Sequence, residues 1–309
     1  MVCLFLYHHN YTFQQWCWPN FYLFSILSIM KTFIKQICVF VVLVLVSGFV
    51  IIITARYYSK YIDWKLPEEK HILFMGASHV QRAVNDSLMT SAINLARSSE
   101  RYMFTYLKLQ RIVDNNKQVD TVFLMCAPTD LFENADDKYF KDEMVSYFAN
   151  FYPLFDSEQW LCYRKKPLTA FGLLFRPAVL QYIKGVDYTF FIDGFDPISD
   201  VMNLDSVYYK PIKGRYGNSI NYEYLRKIIT LCKENDISLF FIYCPVYKPE
   251  FYYDQNYYYN AYKNNFSDVE LFDYSHFPMP ENGFADAHHL NDIGANIFTM
   301  ELIHRFGIK

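Results

Sequence analysis

Short apolar runs alternate with segments of helical periodicity along most of the chain after residue 71. The runs stop at a glycine, a proline or a polar cluster, which is typical of buried strands. Between them, apolar residues recur three and four positions apart, which predicts helices. This alternation predicts an α/β fold with a mainly parallel sheet and right-handed crossovers. The predicted strands are residues 71–75, 92–96, 121–127, 237–244 and 269–272.

A longer apolar segment precedes this alternating region. Residues 36–55 contain no charged side chain, and that length suffices to cross a bilayer. We predict one transmembrane helix over residues 30–56. A signal-anchor is favoured over a cleaved signal peptide, because the apolar stretch is longer than an h-region and no A-x-A site follows it. Residues 57–70 are predicted to form a polar linker that lifts the next domain off the membrane.

The sidedness of the anchor and the role of residues 1–29 are less constrained. Basic residues flank the apolar segment on both sides, so positive charges do not set its orientation. We expect the carboxyl-terminal domain on the extracytoplasmic side, because the anchor resembles an export signal. Two interpretations of residues 1–29 stay open. They are an over-extended gene start, since Met30 looks like a normal start, or a second, shorter membrane-associated segment.

Composition narrows the class of protein. The 309 residues are 52% hydrophobic and 20% aromatic, which is globular rather than disordered material. A net charge of −3 and the lack of a Lys/Arg cluster argue against nucleic acid as a partner. The seven cysteines show no C-x-x-C spacing, so they signal neither a zinc site nor a disulfide scaffold. We therefore expect no metal and no cofactor.

Candidate chemistry lies at the two ends of the alternating region. Ser78 follows Gly76 at the end of the first predicted strand, at the edge of an α/β sheet where ligands bind. Asp286 stands three residues before His289, just ahead of a helix predicted over 292–306 with Asn291 as its cap. A serine hydroxyl needs a base and a group that orients the base. The Asp-x-x-His spacing lets the carboxylate reach Nδ1 while Nε2 points at the serine.

The acid–histidine segment and His79 also allow other interpretations. Asp286 and the pair His288-His289 could form a capping cluster or a metal site. A metal site would need a further ligand outside this segment, and none stands at a recognisable spacing. His79 is a second candidate base beside Ser78. If a helix begins at this point, its ring would point away from the serine, which favours a role in lining the site.

The segment Gly76-Ala77-Ser78, together with the Asp286-to-His289 spacing, resembles the SGNH/GDSL hydrolase superfamily. The resemblance covers residues 71–309 and implies a three-layer α/β/α sandwich with a mainly parallel central sheet. It also implies a catalytic triad of Ser78, His289 and Asp286.

The same resemblance implies an oxyanion hole. Its donors would be the N–H of Ser78, the N–H of Ser99 at a position where the family has glycine, and Thr129 where the family has asparagine. A threonine hydroxyl reaches less far than a carboxamide, and loss of one such donor typically costs about 100- to 1000-fold in rate. Four further residues are expected to surround the site: His79, Asn94, Asp130 and His288.

These features predict a membrane-tethered serine esterase or O-acyltransferase. The expected substrate is an acyl ester, most simply an O-acetyl group of a cell-envelope glycan, and a membrane acyltransferase is a candidate partner. The alternative is a catalytically silent glycan-binding or assembly protein that keeps the fold. Its binding surface would be the aromatic-rich insertion at about 131–220, and the change from asparagine to Thr129 is its best support.

Overall fold

The computed structural model divides into two compact units, Met1–Ala55 and Arg56–Lys309. The residues that the structure describes are 10–58, 61–131, 139, 144–163, 189–192, 194–203, 220–249 and 254–309.

The described residues of the first unit lie in one long helix, α1, which spans Asn10–Tyr58 and so ends just inside the second unit. Its segment Ile26–Ile51 is long and apolar enough to cross a membrane. Apolar side chains such as Phe33, Phe40 and Leu45 project from this segment and are exposed in the protein. The expected apolar helix is therefore present. Residues 10–29 belong to the same helix, and residues 1–9 lie outside the described residues.

A five-stranded sheet forms the centre of the second unit, in the order β2-β1-β3-β4-β5. Every neighbouring pair is parallel, which confirms the predicted α/β architecture. Each observed strand lies within or beside its predicted run and is one or two residues shorter than that run. The strands are β1 Ile72–Met75, β2 Ala92–Asn94, β3 Thr121–Met125, β4 Ser238–Tyr243 and β5 Leu271–Asp273.

Helices cover the sheet in two pairs. Helix α3 packs with α8, and α2 packs with α10, which gives the three layers that were predicted. In chain order the helices are α2 Ser78–Ala83, α3 Tyr102–Asn115, α4 Pro128–Leu131, α5 Val145–Phe151, α6 Ser157–Tyr163, α7 Thr189–Ile192, α8 Ile220–Glu234, α9 Gln255–Asn265 and α10 Asp292–Phe306.

A row of phenylalanine rings crosses the sheet beneath α10. Phe74 of β1 stacks on Phe123 of β3 at 4.9 Å between ring centroids, and Phe123 also lies 5.4 Å from Phe240 of β4. Phe306 of α10 packs on Phe123 at 4.8 Å and on Phe272 of β5 at the same distance. Aromatic side chains bury large apolar areas, so this row anchors the last helix to four strands.

The segment that follows α1 is docked on the second unit from residue 62 onward. Ile62, Trp64 and Leu66 are buried. Asn116 holds the segment, because its Oδ1 accepts from the Leu66 N–H at 2.7 Å and its Nδ2 donates to the Trp64 carbonyl at 2.7 Å. Within the range 57–70 that was predicted to be a polar linker, residues 62–66 thus pack on the rest of the second unit. Ile62, Trp64 and Leu66 alternate with polar residues, so their side chains lie on one face of the segment, and that face is buried.

The described part of the insertion is largely aromatic core. Phe148, Phe151 and Phe155 are buried, and Phe151 packs against Phe104 of α3 at 5.0 Å. Its last described stretch, residues 194–203, is here called the strap. The remaining predicted insertion, including residues 164–188 and 204–219, lies outside the described residues.

Replacing Asn116 by alanine tests the docking of residues 62–66. Loss of its three short hydrogen bonds, to Leu66, Trp64 and Ile112, leaves buried backbone groups unsatisfied. We expect the free energy of unfolding to fall by about 2 to 3 kcal/mol. The matched control is Asn115→Ala at the adjacent, exposed position, which should change it by less than about 0.5 kcal/mol. Denaturant titration of the full chain in detergent measures both, and equal effects would contradict the docking role.

Candidate active site

The turn after β1 is shaped by a glycine. Gly76 has φ of +133°, and a Cβ placed there would lie 2.3 Å from the Cβ of Met125 on β3. Any other residue would have a strained backbone at this φ, and its Cβ would overlap Met125. The chain can therefore pass close to β3 only because position 76 is glycine. Ser78 is thereby delivered as the first residue of α2, half-buried at the carboxyl edge of the sheet.

The acid–histidine loop is fixed by its own backbone. The Oδ1 atom of Asp286 accepts from the N–H groups of His288 at 2.7 Å and His289 at 2.9 Å. An antiparallel bridge between Phe284 and Leu290 closes the loop. Just beyond it, Asn291 Oδ1 accepts from the Gly294 N–H at 3.0 Å and caps α10, as predicted.

Ser78, His289 and Asp286 form a continuous hydrogen-bonded chain. The Oγ of Ser78 lies 2.9 Å from Nε2 of His289, although the two residues are 211 positions apart. Nδ1 of His289 lies 2.9 and 3.0 Å from the two carboxylate oxygens of Asp286. An ionised carboxylate can only accept, so Nδ1 carries the proton and Nε2 is left to accept from the serine hydroxyl. The structure thus brings together the three residues that the sequence assigned to one site.

The electrostatics of the loop favour an ionised Asp286. Its side chain is 54% exposed. Partial burial pushes the pKa of Asp286 up, but the hydrogen bond and charge of His289 and the two loop N–H groups outweigh it and lower the pKa to about 2. Asp286 is therefore a carboxylate near neutral pH, as a group that orients an imidazole must be.

Two further histidines line the site as neutral rings. His79 is 8% exposed, and burial, followed by the nearby His289 and His288, lowers its pKa to about 3. Its ring stands 5.5 Å from that of His289 and nearly perpendicular to it. His289, and not His79, holds the hydrogen bond to Ser78. Burial likewise lowers the pKa of His288, whose ring lies 6.5 Å from that of His289.

The two remaining oxyanion candidates follow the strands on either side of β1. Ser99 comes after β2 and Thr129 after β3, so both stand at the same carboxyl edge as Ser78. Among the described residues, no hydrogen bond is made by the N–H of Ser99 or by the hydroxyl of Thr129.

Ser99 occupies a backbone position suited to glycine. Its φ is +65°, in the left-handed region, at the third position of a turn that the Glu100 N–H closes onto the Arg97 carbonyl at 3.0 Å. A non-glycine residue tolerates this conformation at a cost of about 1 to 2 kcal/mol. This left-handed conformation is one that glycine adopts without strain.

Asn94 and Asp130 support the backbone around the site. The Nδ2 of Asn94 donates to the carbonyls of Val80 and Val84 at the end of α2, while its Oδ1 accepts from the Ala96 N–H. Oδ2 of Asp130 accepts from the Ala127 N–H at 3.0 Å and fixes the turn that carries Thr129. Both residues hold chain segments in place, and neither is a reacting group.

Gln81 is a supporting residue that the sequence did not reveal. Its Oε1 accepts from the N–H of Ser98 at 2.7 Å and from the Ser98 hydroxyl at 2.6 Å. It lies one turn after Ser78 on α2, so it ties the Ser99 turn to the helix that carries the serine. Nothing in its spacing marks it, because the bond spans 17 residues between separate elements.

The strap is the second support that sequence reasoning missed. Arg82 of α2 forms an ion pair of 2.8 Å with Asp196. Further along, the Ile198 carbonyl accepts from the Asp292 N–H at 2.9 Å, and the Met202 N–H donates to the Phe284 carbonyl at 2.8 Å. The strap therefore bonds both to the helix that begins at Ser78 and to the loop that carries His289.

Within the described residues, no cluster of three or more His, Cys, Asp or Glu side chains has the geometry to hold a metal ion.

The known proteins that are similar to this chain are only distantly similar. A search of curated proteins found no match. A family model without a functional description matches residues 210–307. Among solved structures, a GDSL-like lipase from Bacteroides thetaiotaomicron VPI-5482 is similar at 11% identity and a TM-score of 0.41, with 82% of this chain and 97% of that chain covered.

A second solved structure, from Streptococcus pneumonia and described as a platelet activating factor, is similar at 13% identity and a TM-score of 0.40. It covers 82% of this chain and 90% of its own. Identities of 11% and 13% with TM-scores of 0.41 and 0.40 do not support an argument about function. The functional interpretation therefore rests on the side chains of the site itself.

Substitutions at Ser99 test the left-handed turn. Ser99→Gly should keep the protein folded with equal or higher stability, because glycine adopts positive φ without strain. Ser99→Val should lower the free energy of unfolding by about 1 to 2 kcal/mol, because a β-branched residue is poorly accommodated there. Thermal unfolding of the full chain measures both. Equal tolerance of valine and glycine would contradict the turn geometry.

Proposed function

We propose that this protein is a serine-dependent esterase or O-acyltransferase. The observation that carries the proposal is the chain of hydrogen bonds from Ser78 Oγ through His289 to Asp286. A binding protein has no need to hold a serine hydroxyl 2.9 Å from a histidine that a carboxylate orients. The arrangement supports acyl transfer through a covalent serine intermediate.

The reaction begins with attack of Ser78 Oγ on the carbonyl carbon of an ester. The hydroxyl proton passes to Nε2 of His289, and the negative charge of Asp286 stabilises the imidazolium that forms. The former carbonyl oxygen carries the developing negative charge, for which the N–H groups of Ser78 and Ser99 and the hydroxyl of Thr129 are the proposed donors. When the ester C–O bond breaks, the leaving alcohol takes the proton from Nε2.

The acyl group is then bound to Ser78, and a second attack releases it. If water attacks, His289 takes one of its protons and the product is a free acid, so the reaction is hydrolysis. If the hydroxyl of a second molecule attacks in the same way, the product is a new ester, so the reaction is transfer. Both outcomes restore the Ser78 hydroxyl and use the same residues.

We propose O-acetyl esters of a cell-envelope glycan as the substrate and a membrane-tethered, extracytoplasmic location for the site. The support is the apolar segment Ile26–Ile51, which is followed by the domain that carries Ser78. A membrane acyltransferase remains the proposed partner for the transfer reaction.

A catalytically silent glycan-binding protein is the second candidate. Two observations favour it: Thr129 replaces the family's asparagine, and Ser99 adopts a left-handed conformation that glycine would adopt without strain. The aromatic insertion gives this candidate less support, because its described members Phe148, Phe151 and Phe155 are buried and not available to stack on sugars.

Substitution of Ser78 and His289 tests the triad as a unit. Ser78→Ala and His289→Ala should each reduce turnover of 4-nitrophenyl acetate to nearly the uncatalysed rate, and the double variant should be no worse than either. The rate should be measured with the full chain in a neutral detergent. A serine-directed phosphonate should label Ser78, as located by mass spectrometry, and the Ser87→Ala control should label normally. An unlabelled, inactive wild type would favour the binding protein instead.

The variant Thr129→Asn tests the weakened oxyanion hole. If the Thr129 hydroxyl faces the developing oxyanion, a carboxamide at this position reaches further, and kcat for 4-nitrophenyl acetate should stay equal or rise. Thr129→Val removes the donor at similar volume and should lower kcat with little change in KM, since the oxyanion exists only near the transition state. Unchanged kcat in the valine variant would remove Thr129 from the site.

A further inference from the structure

Arg101 is a buried cation for which no partner occurs among the residues that the structure describes. It is 7% exposed and stands at the N-cap of α3. No hydrogen bond or ion pair of its guanidinium occurs among the described residues, and its Nε is fully enclosed without an acceptor. A guanidinium does not lose its proton in proteins, so Arg101 cannot escape the cost of burial by becoming neutral.

The other buried charges of the described residues are compensated. Glu100 and Lys108 form an ion pair of 2.7 Å, and Lys108 also donates to the Leu95 carbonyl. The carboxylate of Asp130 accepts from the Ala127 N–H. Arg101 therefore differs from its neighbours. Because burial of a charge without a counter-charge is unfavourable, an anionic ligand that supplied the missing partner would be stabilised at this position.

The position of Arg101 links it to the candidate active site. It lies two residues after Ser99. Gln81 ties the Ser99 turn to α2. The Arg97 N–H donates to the Gly76 carbonyl at 2.9 Å and so ties the same turn to the end of β1. The Tyr147 hydroxyl donates to the Ser98 carbonyl at 2.6 Å on the same turn. Burial and Glu100 raise the pKa of Tyr147, whereas Arg97 and Arg101 act to lower it. The two arginines therefore place positive charge around this turn.

We propose that Arg101 forms a subsite for an anionic group of the substrate, a carboxylate or a phosphate. The planar guanidinium presents a fork of N–H donors that matches both groups. The inference rests on the proposed function, because it identifies the ester substrate as one that carries a negative charge near the acyl group that Ser78 receives. A substrate anion in this subsite would supply the counter-charge that the described residues lack.

The test uses two readouts on the full chain in neutral detergent at constant ionic strength, with inorganic phosphate and succinate as probes. In the Ser78→Ala protein, either anion at millimolar concentration should raise the Tm. In the wild type, the same anion should inhibit hydrolysis of 4-nitrophenyl acetate competitively. Arg101→Gln should weaken both effects at least about tenfold, which corresponds to the loss of about 1.4 kcal/mol of binding. The response to each probe shows whether carboxylate or phosphate is preferred.

Matched variants distinguish the outcomes. Arg111→Gln removes the same charge from the same helix and should leave both readouts unchanged. Arg101→Lys keeps the charge without the planar fork and should bind the anion with intermediate strength, so the test survives if the glutamine variant does not fold. A rise in Tm without competition would overturn the substrate subsite, and so would the absence of any anion effect in the wild type. An Arg101-dependent rise in Tm in a protein that neither hydrolyses esters nor reacts with phosphonate would keep the anion site and reject the proposed activity.

Discussion

The packing of α10 against α2 is the constraint on which the candidate site depends. Ser78 begins α2, and His289 lies just before α10, so their contact is set by how these two helices meet. Hydrogen bonds fix that meeting, from the Asn85 N–H to Thr299 Oγ1 at 2.9 Å and from Asn85 Nδ2 to Asn296 Oδ1 at 2.7 Å. Beneath them, Phe306 holds α10 on the phenylalanine row of the sheet.

Turns held by hydrogen bonds surround the site, whereas the Asp286 carboxylate is exposed to solvent. Gly76, the capped loop before α10 and the Ser99 turn are each held by several backbone hydrogen bonds. Such preorganisation matters because donors that are already in place need not reorient when charge develops. Asp286, in contrast, is more than half exposed on its side chain, and its low pKa comes from local hydrogen bonds. The Asp286 carboxylate therefore stays oriented toward His289 although much of it faces solvent.

Within the described part of the chain, two ion pairs and one buried cation for which no partner occurs among these residues lie in the segments that carry or support the candidate site. The Glu100–Lys108 pair is buried and satisfied, and the Arg82–Asp196 pair joins α2 to the strap nearer the surface. Arg101 breaks this pattern of compensation. A protein that only needed to fold would be more stable with an apolar residue of similar size in its place. The burial of Arg101 is the observation that motivates the proposed anion subsite.

The sequence alone determined the elements and the local chemistry of this protein. The parallel strands, the apolar helix and the Asn291 cap follow from periodicities and short-range hydrogen bonds within a few residues. The Asp286–His289 contact spans only three positions and was predictable for the same reason. Thr129 and Ser99 could be placed at the correct edge, because consecutive parallel strands present their carboxyl ends together.

Only the tertiary structure decided which distant groups meet and which remain without a partner. The docking of residues 62–66 on Asn116, the bond of Gln81 to the Ser98 turn and the ion pair of Arg82 with Asp196 join elements 17 to 114 residues apart. No periodicity encodes such pairs, since each depends on how helices and loops pack on the finished sheet. The burial of Arg101 has the same origin, because a side chain's exposure and partners are properties of the whole packed chain.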